Sequence, residues 1–132
     1  MGGCMAIKRD AADMWCSRAV RLRDKYCMRC GSPHNLEAMH CTHGRRNKRL
    51  RYSLDNLQSG CTACHRYYTE NPLEFLDDLR RLWGEGHIDM LREKGREIMK
   101  TTKELRKEIA KHYREEVKRK LADDDYTIVS YN

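Results

Sequence analysis

The chain has 132 residues and a formal net charge of +7, with 39% hydrophobic and 36% charged residues. That length fits one domain, or one domain with a helical extension, and so thin a core points to a stabilising metal or cross-link. No apolar run is long enough to span a bilayer, so no membrane partner is expected, and the basic excess favours a polyanionic one.

The first residues, Met1-Gly2-Gly3-Cys4-Met5-Ala6, depart from a myristoylation signal in having Ala6 where Ser or Thr is needed. With no apolar leader the chain reads as cytosolic, a compartment where cysteine pairs more often bind metal than each other. Residues 6–25 are expected to be helical: Ala11, Trp15, Ala19 and Leu22 recur at spacings of three and four, while Lys8, Arg9, Arg18, Arg21 and Arg23 form a basic face. A tight turn follows at Cys27-Met28-Arg29-Cys30-Gly31, and residues 35–40 alternate like a short strand. Residues 41–56 read as a polar basic loop, Leu57–Ser59 as a very short second strand, and Cys61–Glu70 as a turn entering a helix. Asn71-Pro72-Leu73-Glu74 reads as a helix start with a capping box, and Gly84 and Gly86 as its end. A helical stretch over 87–99 follows. Thr101-Thr102-Lys103-Glu104 reads as a second capping box, opening a helix to Leu121 whose stripe Leu105, Ile109, Tyr113 and Val117 should pack on another helix. The segment 122–132 has no predicted place. The implied division is 6–71 as a core with its leading helix, 72–121 as a helical extension, and a tail.

Seven cysteines cannot all pair within one chain. Four of them form two C-x-x-C pairs, Cys27 with Cys30 and Cys61 with Cys64. Two residues between thiolates let one turn supply two corners of a zinc tetrahedron, so these four are predicted to hold a structural Zn²⁺. Cys4, Cys16 and Cys41 read as ordinary thiols, and His34, His87 and His112 as structural or surface residues.

Between the knuckles, a histidine at a strand end (His40), an asparagine in the next segment (Asn56) and a histidine just inside a helix (His65) stand in order. An imidazole can take a proton from an attacking water. A divalent metal can polarise a phosphate and stabilise the leaving oxygen. Asn56 can ligate that metal or brace the loop that aims the base. The loop Gly44–Arg51 carries Arg45, Arg46, Lys48, Arg49 and Arg51, with Tyr52 next and Arg66, Tyr67 and Tyr68 by the second knuckle. These cations are predicted to contact DNA phosphates, and the basic face of the first helix extends the surface.

Cys27-x-x-Cys30-Gly31, Leu36-Glu37-Ala38-Met39-His40, Asn56 and Cys61-x-x-Cys64-His65 resemble the zinc-knuckle branch of the HNH endonucleases. Residues 17–24, Gly44-Arg45-Arg46-Asn47 with Arg51-Tyr52, residues 64–72, and the stretch 100–116 as a C-terminal helix make the chain similar, more narrowly, to the phage NinG (Rap) recombination nucleases. The resemblance spans about residues 8–121. It implies an α+β fold with a small ββα-metal core, and metal-dependent cleavage of DNA, including branched recombination intermediates, inside a phage-infected host cell. His40 is then the general base, with His43 the alternative. His65 and Asn56 would hold a catalytic Mg²⁺ or Mn²⁺. Many HNH proteins carry a His or Asp metal ligand just before the base; here Met39 stands there, a poor ligand for hard cations. Asp55 and His43 are further candidates for the missing ligand. Two rival readings remain: a zinc-stapled DNA-binding module without catalysis, and a helical adaptor for another protein. Cutting both strands with one site per chain would call for a homodimer.

Overall fold

The computed structural model describes residues 7–131. The amino-terminal glycine motif and Cys4 lie outside them. Helix α1 (Ala11–Asp24) begins later than its apolar spacing suggests, because Asp10 caps it. Asp10 Oδ1 accepts from the Asp13 amide at 2.8 Å and Asp13 Oδ2 from the Asp10 amide at 2.9 Å, a reciprocal box made of two aspartates. The chain then passes through strand β1 (Leu36–His40), a 3-10 turn at Leu54–Asn56, strand β2 (Leu57–Cys61), α2 (Thr62–Glu70), α3 (Pro72–Trp83), α4 (Glu85–Gly95) and α5 (Lys103–Ala122).

The strands pair antiparallel, with Leu36 opposite Cys61 and His40 opposite Leu57. β2 therefore runs two residues further than the sequence suggests, ending on the third zinc-type cysteine. α1 pins this hairpin. Arg23 donates to the carbonyls of Leu54 (2.9 Å) and Leu57 (2.6 Å), and Asp24 accepts from the Ser59 amide at 2.8 Å. Met39 is fully buried against Gly60, where a Cβ would stand 2.5 Å from its Sδ.

The core joins α1 to α5. Ala12, Cys16, Ala19 and Val20 of α1 meet Ile109, Tyr113 and Val117 of α5, with Tyr52, Leu54, Leu57 and Ile128 closing the cluster. The α5 stripe thus has its partner helix, and burying each large aliphatic contributes about 1.5–3 kcal/mol. The Tyr113 hydroxyl donates to the Tyr52 carbonyl, tying α5 to the loop.

Two expected caps differ. Asn71 precedes α3 but makes no capping bond; its amide donates to the Tyr67 carbonyl at 2.8 Å, and Glu74 accepts from the Tyr67 hydroxyl at 2.7 Å. At α5 the cap is Thr102, bonded to the Leu105 amide at 3.0 Å, so Glu104 is one residue short of completing a box. The unplaced tail becomes a strap along α5. The buried Glu116 carboxylate accepts from the Tyr126 hydroxyl (2.8 Å) and the Val129 amide (2.7 Å), and the Tyr131 amide donates to the Tyr113 hydroxyl at 3.1 Å. Among the described residues no helix is long and apolar enough to cross a membrane.

Candidate metal centre and adjoining cavity

The turn Cys27–Gly31 is closed by the Gly31 amide donating to the Cys27 carbonyl at 3.0 Å, with Gly31 at φ +77°, a conformation glycine adopts without strain. The Met28 amide donates to the Ser59 carbonyl at 3.0 Å, which fixes this knuckle against β2. The second knuckle is the junction of β2 with α2. As a result the Sγ atoms of Cys27, Cys30, Cys61 and Cys64 all lie within 4.8 Å of one another, with Cys30 and Cys61 3.7 Å apart. A tetrahedron with Zn–S bonds of about 2.3 Å has edges of about 3.8 Å, so the four thiols fit a structural zinc.

Burial opposes ionisation of Cys27, but the amides of Cys30, Cys61 and Arg29 outweigh it and bring its thiol down to about 6. Burial first, then the neighbouring thiols, push Cys64 up to about 12 against the Arg29 hydrogen bond, and a bound cation would favour its thiolate. Arg29 stands over this cluster: its Nη1 lies 3.6 Å from Cys64 Sγ and its guanidinium 3.7 Å from the Tyr67 ring centroid.

Beside the knuckles, a cavity of about 430 Å³ opens between α1, β1 and α2. His40, His65 and Glu37 line it, together with Arg9, Arg21 and Arg45. His40 Nε2 is 3.1 Å from the Arg51 carbonyl oxygen. A carbonyl only accepts, so the neutral ring carries its proton on Nε2 and keeps a lone pair on Nδ1. Burial, opposed by that hydrogen bond, holds the imidazole below its usual range. His65 Nδ1 is 2.7 Å from Glu37 Oε1, whose other oxygen accepts from Thr62 at 2.9 Å, so Nε2 remains for another partner. The His65 partnership first, and against burial, holds the Glu37 carboxyl below the ordinary range.

The family model described as bacteriophage lambda NinG protein matches residues 8–123. The chain belongs to the lambda NinG family. Comparison with curated proteins gives no significant match, and comparison with solved structures gives none either.

In this NinG-family chain the predicted site residues divide. His40 and His65 share the cavity, but Asn56 does not line it. Asn56 is fully buried; its Oδ1 accepts from the amides of Thr42 (3.0 Å) and His43 (3.3 Å) and from the Thr42 hydroxyl (2.9 Å), and its Nδ2 donates to the His43 carbonyl at 2.7 Å. These bonds leave the amide no free oxygen lone pair for a metal, and they match the bracing role. His43 is held by Thr42 at 2.9 Å and lines a different groove, with Cys41, Pro72 and Leu76. The Asp55 carbonyl holds His87 at 2.7 Å, and its carboxylate lies 3.9 Å from Lys94, so neither His43 nor Asp55 stands with His65 as a ligand.

The basic loop divides too. Arg51 makes a two-pronged pair with Asp13, at 2.6 and 3.1 Å, and Arg49 pairs with Glu97 at 2.9 Å. Arg51 is a strut between loop and helix, since the Asp13 carboxylate thirty-eight residues upstream claims its fork. Arg45 donates to the Ile7 carbonyl at 3.0 Å while lining the cavity. Arg46, Lys48 and Arg66 are exposed. Cys16 is a buried single thiol and Cys41 a half-buried one, and desolvation raises both, Cys16 to about 12. His112 is bonded to the Val129 carbonyl at 2.7 Å, and His34 is exposed.

The sequence assigns no site role to Glu37 or Arg29, and it places Arg9 and Arg21 only on the basic face of the first helix, not in the cavity with His40. Strand alternation gives no signal for Glu37, because it puts Glu37 on the Met39 face of β1 rather than that of His40, and its partner His65 stands twenty-eight residues later.

Proposed function

We propose that the chain is a metal-dependent DNA endonuclease of the HNH (ββα-metal) type, with His40 as general base. The observation that carries this reading is the shared cavity: one free imidazole lone pair, a second imidazole with Nε2 available, and several guanidiniums line one space beside a four-cysteine staple. Its volume, about 430 Å³, is in the range of small-molecule and substrate sites.

His40 Nδ1 accepts the proton of the attacking water, and its burial keeps the ring neutral for that task. His65, steered by Glu37, would hold Mg²⁺ or Mn²⁺ through Nε2, with Glu37 as orienting carboxylate. When bound there, such a cation would supply Lewis-acid polarisation of the phosphate and charge neutralisation at the leaving 3′ oxygen. Arg9, Arg21 and Arg45 fix the phosphodiester, and Asn56 stiffens the segment leaving β1 so that His40 keeps its aim. Branched recombination intermediates in a phage-infected cytoplasm are the proposed substrate setting, and cutting both strands with one site per chain requires two copies.

The experiment is a cleavage panel of branched and linear DNA with Mg²⁺, Mn²⁺ or neither. Wild type should cleave only with metal. His40→Ala should lower the rate roughly a hundredfold to ten-thousandfold with zinc content unchanged. Because burial lowers the His40 pKa, the base form persists in acid, and the acid limb of the pH–rate profile should fall below the ordinary imidazole value of 6.5. A wild type that cleaves nothing with any metal would overturn the enzyme reading. It would leave the zinc-stapled DNA-binding module, which two observations favour: Met39 is buried away from the cavity, and among the described residues the four cysteines are the one cluster of three or more metal-binding groups.

A further inference from the structure

Among the described residues, Arg9, Arg18 and Arg21, on and just before α1, form no salt bridge, although Arg9 lies within electrostatic reach of Glu37. Arg9 precedes the helix, and Arg18 and Arg21 lie three residues apart on it, so they are neighbours on one face. The carboxylates nearby are engaged elsewhere. Asp10 accepts from the Tyr52 hydroxyl at 2.7 Å, Asp13 holds Arg51, Asp24 holds Arg23 at 2.7 Å, and Glu37 holds His65. Among the described residues, Arg21 donates to the Ser17 carbonyl at 3.3 Å, and Arg18 stands 5.6 Å from the Trp15 ring centroid.

Arg9 and Arg21 line two spaces at once. One is the cavity of His40 and His65; the other is an adjoining groove of about 480 Å³ walled by Met14, Trp15 and Arg18. Burial first, and then the like charges of Arg18 and Arg9, hold the Arg21 guanidinium below its usual range. Met14 is 59% exposed among these arginines, so the groove has an apolar wall as well as a cationic edge. A row of separated guanidiniums suits a chain of repeated anions better than one small anion, and an apolar wall suits the sugars and bases between them.

We propose that this face of α1 is the track of the DNA strand, with successive phosphates on Arg18, Arg21 and Arg9 leading the scissile bond into the His40 cavity. This deepens the nuclease reading and rests on it for the identity of the strand. It assigns to α1 the contacts that Arg49 and Arg51, paired inside the protein, do not make in the loop.

The test is DNA binding by fluorescence anisotropy across a salt series, in the His40→Ala background without added Mg²⁺ or Mn²⁺, so that the DNA stays intact and the zinc stays bound. Replacing Arg9, Arg18 and Arg21 together by Ala should weaken binding at least about tenfold near 0.1 M salt and reduce the slope of log K against log salt by about two to three units. The thermal transition should stay where it is, because no ion pair is lost. Arg18→Ala alone, on the exposed surface, should lower the slope by about one unit and carries the test if the triple variant melts early. A wild-type slope in both variants overturns the track. So does a loss confined to anionic phospholipid vesicles with DNA binding intact, which would make the face a headgroup site. The two readings fail separately: α1-dependent binding with no cleavage by wild type sinks the nuclease and leaves the binding face, and a triple variant that binds and cleaves like wild type, with His40 restored, sinks the track and the roles of Arg9 and Arg21 at the phosphodiester while leaving a metal-dependent nuclease with His40 as base.

Discussion

Arg29 shows how one side chain outside the ligand set serves a metal centre. Four thiolates around Zn²⁺ leave a net charge of −2, and Arg29 brings a cation to 3.6 Å from Cys64 Sγ. Its position is set by the Tyr67 ring beneath it, and Tyr67 is held by Glu74 at 2.7 Å. Groups that orient or neutralise metal ligands typically influence affinity by ten- to a hundredfold. Arg29→Ala should therefore release zinc to a chromogenic chelator about tenfold faster than wild type, with Arg29→Lys intermediate because an ammonium keeps the charge but not the stacked plane. Equal release rates would show that the arginine merely rests on the tyrosine. Asn56 makes the same point from the other direction: a side chain of a type that can bind metal is consumed by four hydrogen bonds to the loop it braces.

At the scale of elements, the joint between α1 and the loop before β2 rests on Asp13 and Arg51. Their side chains are only 6% and 12% exposed, so each depends on the other. Burial opposes ionisation of Asp13, yet the Arg51 hydrogen bonds and the Asp10 amide outweigh it, and the carboxyl stays below its usual range. A carboxyl with a depressed folded pKa adds stability above its unfolded value near 3.8, and that stability is lost as pH falls through the lower folded value. Asp13→Asn should cost about 3 kcal/mol in urea denaturation at neutral pH and remove this acid-dependent part of the stability curve. A variant as stable as wild type would mean that Arg51 is held by Asp10 and the Lys8 carbonyl alone. The sequence could not show this joint. Spacing identified the two knuckles, the α5 stripe and the order His40, Asn56, His65, because each depends on residues a few positions apart or on one repeated pattern. It could not say which arginines of the basic run were already claimed, because their partners stand about forty residues away. For the same reason Glu37, paired with a histidine twenty-eight residues later, looked like one more polar strand residue. The start of α1 moved to Ala11 because two aspartates can cap as well as compete, which an apolar period does not register.

In the molecule as a whole, two centres hold different halves of the site. The zinc-type cluster fixes the hairpin to α2, and with them His65 and Glu37. The apolar cluster of α1, α5 and the tail fixes the face that carries Arg9, Arg18 and Arg21, and none of the four paired cysteines belongs to it. Structural zinc contributes on the order of 10 kcal/mol to folding in small domains, enough to hold a hairpin of two five-residue strands that could not stand alone. Purified protein should carry about one zinc per chain by native mass spectrometry. Cys61→Ser should lose it, because Cys61 is both the last residue of β2 and the residue before α2, and a hydroxyl is a weak substitute for thiolate. The loss should be graded across the molecule. Hydrogen exchange should accelerate first at the amides of residues 36–40 and 57–65, while α1 and α5 keep protection from Val20, Ile109, Tyr113 and Val117. Cleavage should vanish with the hairpin, and phosphate-dependent binding through α1 should outlast it. Uniform unfolding of the variant would show that the two centres form one cooperative unit, and a stably folded, active, zinc-free protein would remove the metal from the account altogether.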